Sequence, residues 1–429
     1  MLACKQQSTA HKTAFSNPIL YCQTVKQLND VVLENNFPPV IASRNYVYAN
    51  IAAYECVAAG DSTYKSLYGQ IKHLPKMPIA QIGKEINYSL AALLAFTKVG
   101  NAVTFPEGSM MGFYEKLKDM ADSVGMPIDV LQNTIAYSDS VVATIISWSK
   151  KDNYAQTRSS EKYAVQTSIN GRWIPTAPMY ASALEPHWKE IRTMILDSSA
   201  QFLPPTPPTF NITNKNGLYY KAVLEVKKFG DSLTEEQKHI ADFWDDNPFK
   251  MNVVGHASYA TKKFSPPGHW MNIVGIAAKE AKADFNTTVA AYTHTAISLF
   301  DSFISCWDTK YKTNTARPET VINKFITDTW RPYIQTPPFP SYTSGHATIS
   351  AAAAEVLTAW FGDNLSFTDT SLLEFGIKSR TIESFRKASK EAAISRLYGG
   401  IHFMHDNEVG NTMGTKIGLF LVDKLKFKN

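Results

Sequence analysis

Three short stretches hold residues whose types and spacing suit work on a small, multiply charged oxyanion. The first is Lys310, with Arg317-Pro318 after six intervening residues. The second is Ser344-Gly345-His346, between a proline-rich approach and the helix-forming run ATISAAAAEVLTAWF. The third is Ser395-Arg396, then His402, then Asp406. A helix opening at Ser344 or Gly345 leaves its first N–H groups without intrahelical partners, at the positive end of the helix dipole, and so forms an anion site. Gly345 lets an anion approach the backbone. Ser344 adds a hydroxyl, and His346 adds a proton donor or acceptor beside it. Lys310, Arg317 and Arg396 would neutralise the anion, the arginines as two-pronged forks and the lysine as a point charge. Without an anion such a cluster repels itself. His402 and Asp406 stand four apart, so on a helix they would share a face. The carboxylate would then take the Nδ1 proton and leave Nε2 free as nucleophile or metal ligand. Each cation alone reads as a solvated surface charge, and an isolated His–Asp pair reads as structural. It is their combination that points to chemistry.

The elements that must position these residues are helical. Strand signals are scarce, and apolar residues recur at spacings of three and four. Helices are predicted over residues 44–60, 79–99, 112–124, 127–148, 217–229 and 234–246. The longest runs over 284–307, with Val289, Tyr292, Ala296, Leu299, Phe303 and Cys306 on one stripe. Further helices are expected over 344–361, 381–396 and 401–424, with 308–340 loop-rich and 251–268 irregular. Residues 1–17 read as an export remnant or a tail, and 18–429 as one all-α domain. The proline cluster at 204–208 divides a first bundle, about 40–200, from a second, about 217–429, or straps the surface. Bundle faces and subunit interfaces share one pattern, so the oligomeric state stays open.

Composition excludes several classes. A net charge of +5 with no dense Lys/Arg block gives no support for nucleic-acid binding. No run reaches the ~18 apolar residues of a transmembrane segment. No HExxH or cysteine-rich spacing suggests zinc. Cys22, Cys56 and Cys306 are too widely spaced for a metal pattern and read as buried thiols. Leu2-Ala3-Cys4 resembles the end of a bacterial lipoprotein signal without its apolar run, which leaves two expectations. One is a periplasmic, secreted or cell-surface protein anchored at Cys4, and the other is a cytoplasmic protein. His256, His269 and His294 read as structural or loop residues, with His269-Trp270 alternatively rimming a pocket. His405 reads as incidental, facing away from Asp406, and Asp245-Asp246 as partners of a pocket arginine.

Taken together, the three stretches resemble the signature of the type 2 phosphatidic acid phosphatase and vanadium haloperoxidase superfamily. The match runs through Lys310 and Arg317-Pro318, then Pro340-Ser341-Tyr342-Thr343-Ser344-Gly345-His346, then Ser395-Arg396, His402 and Asp406, in order and spacing. Trp307 and Phe339 match aromatic residues that wall the pocket in haloperoxidases, and FWDDNP, SPPGHW and SGHATISAAAAE are most similar to bacterial vanadium-dependent iodoperoxidases. The resemblance implies two four-helix bundles packed in one all-α domain, with vanadate in the second and neither haem nor nucleotide. It implies that His402 bonds the vanadium, oriented by Asp406, while Lys310, Arg317, Ser344, Gly345 and Arg396 hold its oxygens. His346 would be the acid–base residue, and Lys310 would polarise bound peroxide. Halide, with iodide favoured, and hydrogen peroxide would be the substrates, hypohalous acid the product, and small organic molecules the acceptors. Phe339 stands where algal bromoperoxidases carry histidine, which weakens a bromide reading. The alternative is a soluble acid phosphatase, in which His402 attacks a phosphomonoester and His346 protonates the leaving group. A non-catalytic oxyanion binder would have no use for the second histidine or the aspartate.

Overall fold

Caps and prolines set where the helices begin. The computed structural model describes residues 10–254 and 256–429. Its first half contains α1 (His11–Ala14), α2 (Pro18–Glu34), α3 (Pro39–Gly60), α4 (Tyr88–Val103), α5 (Met111–Ser123), α6 (Ile128–Ser149) and α7 (Tyr154–Thr157). The second half contains α8 (Leu218–Asp231), α9 (Glu235–Phe243), the hairpin β1 (Lys250–Val254) and β2 (Ala257–Thr261), α10 (Pro266–Glu280), α11 (Phe285–Thr313) and α12 (Pro318–Phe325). It closes with α13 (Gly345–Phe361), the antiparallel pair β3 (Phe367–Asp369) and β4 (Arg380–Ile382), α14 (Phe385–Tyr398) and α15 (Met404–Lys424). Proline occupies the first turn of α2, α3, α10 and α12, where its missing N–H costs nothing. Thr234 and Gln237 close a capping box at α9.

The fold is all-α, as two groups of helices on one shared core. In the first group α3 packs on α4 and α6. In the second, α13 packs on α11, α14 and α15. The groups meet where α11 lies along α3, and one contiguous apolar cluster runs through both. Both of these helices are buried on every side, α3 from Val40 to Val57 and α11 from Thr288 to Lys310, so neither keeps a polar face. A second small cluster, including Val223, Val226, Ile322, Leu397 and Phe403, sits under α8 and α12 and supports the chain next to His402.

The close approach of α13 and α15 depends on glycines four apart. A Cβ on Gly414 would overlap the carbonyl oxygen of Thr348, and one on Gly410 would come within 2.9 Å of the Ser344 carbonyl. Together with the Ala351–Ala354 run on α13, they let two backbones meet without intervening side chains.

Several sequence expectations are corrected. Residues 10–17 belong to the packed body rather than to a tail, since Phe15 is fully buried and Asn17 caps α2. Cys4 and its proposed anchor lie outside the described residues. The helix expected from 79 begins at Tyr88, because Asn87 caps it and Gly83 takes a positive φ of 80°; Ile79 and Ile82 are exposed. Helix α11 runs to Thr313, so Lys310 is helical and stands one turn beyond Trp307. Residues 381–384 are not helical; β4 and the Ser384 cap precede α14. Residues 401–403 precede α15, and α2, α10 and the hairpin were not anticipated. The proline-rich segment is a strap: the Pro205 carbonyl accepts the Tyr342 hydroxyl, and Phe202 packs on Phe420.

Two glycine substitutions test this packing in opposite directions. Gly414→Ala should destabilise the protein by ~1–3 kcal/mol, since α15 must move off α13. Gly112→Ala, on α5 with open space around it, should be neutral or stabilising by up to ~1 kcal/mol. Urea denaturation of the two variants gives the answer, and equal effects would show that α13 and α15 are not tightly apposed.

Candidate active site

The site lies where four segments converge. Helix α11 brings Trp307 and Lys310, one turn apart. Arg317 stands at the N-cap of α12, where Pro318 fixes the turn. Ser344 caps α13, its Oγ accepting the Ala347 N–H at 3.4 Å, and its own N–H donates to the Asp406 carbonyl at 3.0 Å. That last bond ties the start of α13 to the start of α15. Arg396 ends α14, and His402 precedes α15.

His402 and Asp406 do meet, though across a helix start rather than along a helix face. Nδ1 of His402 lies 3.0 Å from Oδ2 of Asp406. That oxygen also accepts the Ser341 hydroxyl at 2.5 Å and the Phe403 N–H at 3.4 Å, so the carboxylate caps α15. Burial pushes the Asp406 carboxyl up, but the hydrogen bond from His402 and the charge of His405 outweigh it and hold it at about 2. Burial is also the main cause that keeps the His402 imidazole well below its usual value, and Arg317 adds to it. We assign the pair as neutral imidazole and carboxylate. Nδ1 then carries the proton, and the Nε2 lone pair faces Arg317 Nη1 at 2.9 Å.

All three cations are buried, and among the described residues no carboxylate forms an ion pair with any of them. Lys310 Nζ donates to the carbonyls of Pro340 at 2.9 Å, Ser341 at 2.9 Å and Thr343 at 2.5 Å. Arg317 donates through Nε to the Phe339 carbonyl at 2.8 Å and through Nη1 to the Ile401 carbonyl at 2.9 Å, while Nη2 has no partner. Arg396 donates to the Ser395 hydroxyl at 3.0 Å and to the carbonyls of Asp245 and Trp244. Burial is the leading cause that pulls Lys310 down to about 7, Arg317 to about 9 and Arg396 to about 10. Phe339 lies 5.1 Å from Lys310 Nζ and 4.8 Å from the Arg317 guanidinium, and its ring meets Trp307 at 4.9 Å, so the aromatic wall also touches the cations.

A cavity of about 300 Å³ opens onto this cluster. His346, His402, Arg396, Gly345, Trp307 and Phe339 line it. Lys310, Arg317 and Ser344 lie behind that wall. His346 turns Nε2 toward Asp246 Oδ2 at 3.6 Å, which leaves Nδ1 to face the cavity. Burial, with the charge of Arg396, pulls the His346 imidazole down to about 4, so it is a neutral base at neutral pH. The arrangement can therefore hold a tetrahedral anion between cations, with a lone-pair donor on one side and a proton acceptor on the other.

Several side chains were misread from sequence or given no role there. The Asp245 carboxylate meets Lys263 at 3.4 Å; Arg396 takes only its backbone carbonyl. Asp246 meets two histidines and no arginine. His405 does not face away: its Nε2 lies 3.2 Å from Asp406 Oδ1, and its ring stacks on Phe403 at 5.3 Å. His269 is fully buried and is not among the residues that line this cavity. Ser341 stood inside the quoted motif with no function attached. A serine five positions before His346 gives no local signal that its hydroxyl reaches a carboxylate 65 residues on.

Comparison with known proteins gives two kinds of match. A family model for the VCPO second helical-bundle domain matches residues 323–428. The crystal structure described as the first bacterial vanadium-dependent iodoperoxidase superposes with a TM-score of 0.91 at 41% identity, covering 96% of this chain and 98% of that one. The holo-type bacterial vanadium-dependent chloroperoxidase superposes with a TM-score of 0.69 at 17% identity, covering 91% and 92%, and shares the fold. A search of curated sequences finds no match.

Three buried cations without counter-charge should make the protein responsive to oxyanions. Orthophosphate at one hundred times its Kd should stabilise it by about 2.7 kcal/mol, seen as a raised thermal midpoint. Arg317→Ala should remove most of that gain. A midpoint indifferent to phosphate would mean that the cations do not form one anion site.

Proposed function

The chain belongs to the vanadium-dependent haloperoxidase family, and from that membership we propose that it oxidises halide, iodide in particular, with hydrogen peroxide at a vanadate held by His402. The observation that carries this reading is the oriented His402 imidazole, whose Nε2 lies against Arg317 Nη1 at 2.9 Å in a site where Lys310, Arg317 and Arg396 are all buried without an ion-paired carboxylate among the described residues. The 41% identity to a bacterial iodoperoxidase over nearly the whole chain supports iodide, as does phenylalanine at position 339. Iodide is the easiest halide to oxidise, so modest activation suffices.

The donor set fits a vanadate-sized oxyanion. His402 Nε2 is a neutral imidazole donor, oriented by Asp406 and Ser341. The unpartnered Arg317 Nη2 is a donor that an oxygen can take without breaking an existing bond. Arg396 and the Gly345 end of α13 face the same cavity. Bound vanadate supplies a Lewis acid that activates peroxide without changing its own oxidation state.

The protein's own part is to bind, orient and move protons. His346, neutral and lining the cavity, would act as the base that accepts a proton from peroxide and as the acid that returns it. Lys310, saturated by three carbonyls, fixes residues 340–343 and adds positive charge behind the wall, where it strengthens the pull on developing negative charge. Trp307 and Phe339 keep bulk water from that side. The charge at Arg396, which lines the cavity, favours halide within it.

A phosphatase reading remains the second one, because an oriented neutral imidazole opposite an acid–base histidine also suits attack on phosphorus.

Purified protein dialysed with orthovanadate should form triiodide from peroxide and iodide, and protein stripped of vanadate should not. His402→Ala should abolish turnover, and His346→Ala should lower kcat by ~100-fold or more. Hydrolysis of an aryl phosphate with no vanadate-dependent triiodide would reverse the order of the two readings.

A further inference from the structure

Behind His346 lies a buried chain of three ionisable side chains. His269 Nδ1 is 2.8 Å from Asp246 Oδ1, and His269 Nε2 is 2.9 Å from Asp369 Oδ2. The other oxygen of Asp246, Oδ2, is the one that faces His346 at 3.6 Å. His269, Asp246 and Asp369 are all buried, so solvent does not screen these contacts. Both ring nitrogens of His269 face carboxylate oxygens. A neutral imidazole has one N–H and one lone pair, so it would set that lone pair against a carboxylate; only the imidazolium donates twice.

The surroundings make this charge state demanding. His269 is in the first turn of α10, where the helix dipole disfavours a cation. Burial also opposes it, yet Asp246 and Asp369 outweigh both and raise the ring to about 10. The two carboxylates come from separate places. Asp369 ends β3, and its Oδ1 accepts the Ser371 N–H at 2.9 Å and the Ser371 hydroxyl. Asp246 follows α9 in a left-handed conformation, φ 45°, which Asp tolerates better than most residues. Trp244 lies over the His269 ring at 4.8 Å, and Phe243 meets its edge. The other charges close by are Arg396, on the carbonyls of Trp244 and Asp245, and Lys263, on the Asp245 carboxylate.

We propose that His269 is a positioning residue: clamped as an imidazolium between Asp369 and Asp246, it pins Asp246 Oδ1 so that Oδ2 alone is presented to His346 Nε2. Held there, His346 keeps Nδ1 toward the cavity. The consequence for catalysis rests on the haloperoxidase reading above; the clamp itself does not. Without His269 the Asp246 carboxylate is free to rotate toward Arg396, and His346 Nε2 loses the electrostatic contact at 3.6 Å that favours its present orientation.

The test uses the full chain. In ¹⁵N-histidine spectra of the protein without oxyanion, one ring with both nitrogens protonated should persist at pH 8 and disappear in His269→Gln. In His269→Gln, kcat for iodide oxidation should fall by ~10-fold or more through misplacement of His346. The concentration of orthovanadate for half-activation should stay within about threefold, a split that general loosening of the site would not give. The kcat loss should largely vanish when His269→Gln is added to Asp246→Asn, because the effect acts through that carboxylate. Asp369→Asn provides a second arm, lowering the protonation of the ring and kcat together, should His269→Gln fold poorly. A neutral His269 at pH 8, an unchanged kcat, or losses that add in full would each overturn the proposal. Absence of vanadate-dependent iodide oxidation in the unaltered protein would instead overturn the functional reading, and the ring spectrum would still decide the clamp.

Discussion

Lys310, Arg317 and Arg396 lie in the interior with backbone carbonyls, one hydroxyl and one imidazole as their partners. Taking such charges out of water costs several kcal/mol each, and carbonyl dipoles return only part of that. The remaining deficit is electrostatic, and an anion of two or three charges relieves it. The surrounding architecture delivers those carbonyls: residues 339–343 to Lys310 and Arg317, residue 401 to Arg317, and residues 244 and 245 to Arg396. The site is thus a set of cations suspended from the backbone rather than balanced by acids. The carboxylates nearby are committed to histidines and Lys263.

Suspension of this kind needs a stiff frame. The two fully buried helices, α3 and α11, give the molecule a common axis, and Lys310 stands near the end of the second. The glycine face of α15 brings its start against that of α13, where one hydrogen bond joins Ser344 to Asp406. Displacement of either helix would move the start of α13 relative to His402. Close packing therefore sets catalytic geometry as well as stability.

The two histidines that line the cavity and a third buried behind them show how one side-chain type takes three states. His402, beside Arg317, is neutral with its proton on the Asp406 side. His346, beside Arg396 and one oxygen of Asp246, is neutral and faces the cavity. His269, between two carboxylates, is charged. Separation of titration behaviour by environment is what would divide the proposed ligand, acid–base and positioning roles among identical imidazoles.

Residue types and local spacing by themselves determined the all-α class and the helix start at Ser344 and Gly345, and they raised the expectation of oxyanion chemistry at Lys310, Arg317, Arg396, His346 and His402. These follow from caps, periodicity and charge, which act over a few residues. Local pattern misled at residue 79, where apolar spacing continued past a glycine and a capping asparagine, and at residue 308, where polar composition hid another turn and a half of helix. Partnerships were decided only by the tertiary structure. The Ser341 hydroxyl reaches Asp406, Arg396 takes the carbonyls of Trp244 and Asp245 instead of their acids, and His269 joins Asp246 to Asp369. Such contacts span up to 152 positions of chain. The identity of a buried polar group says that it must find a partner, but which atom meets it depends on how separate helices and strands are brought together in space.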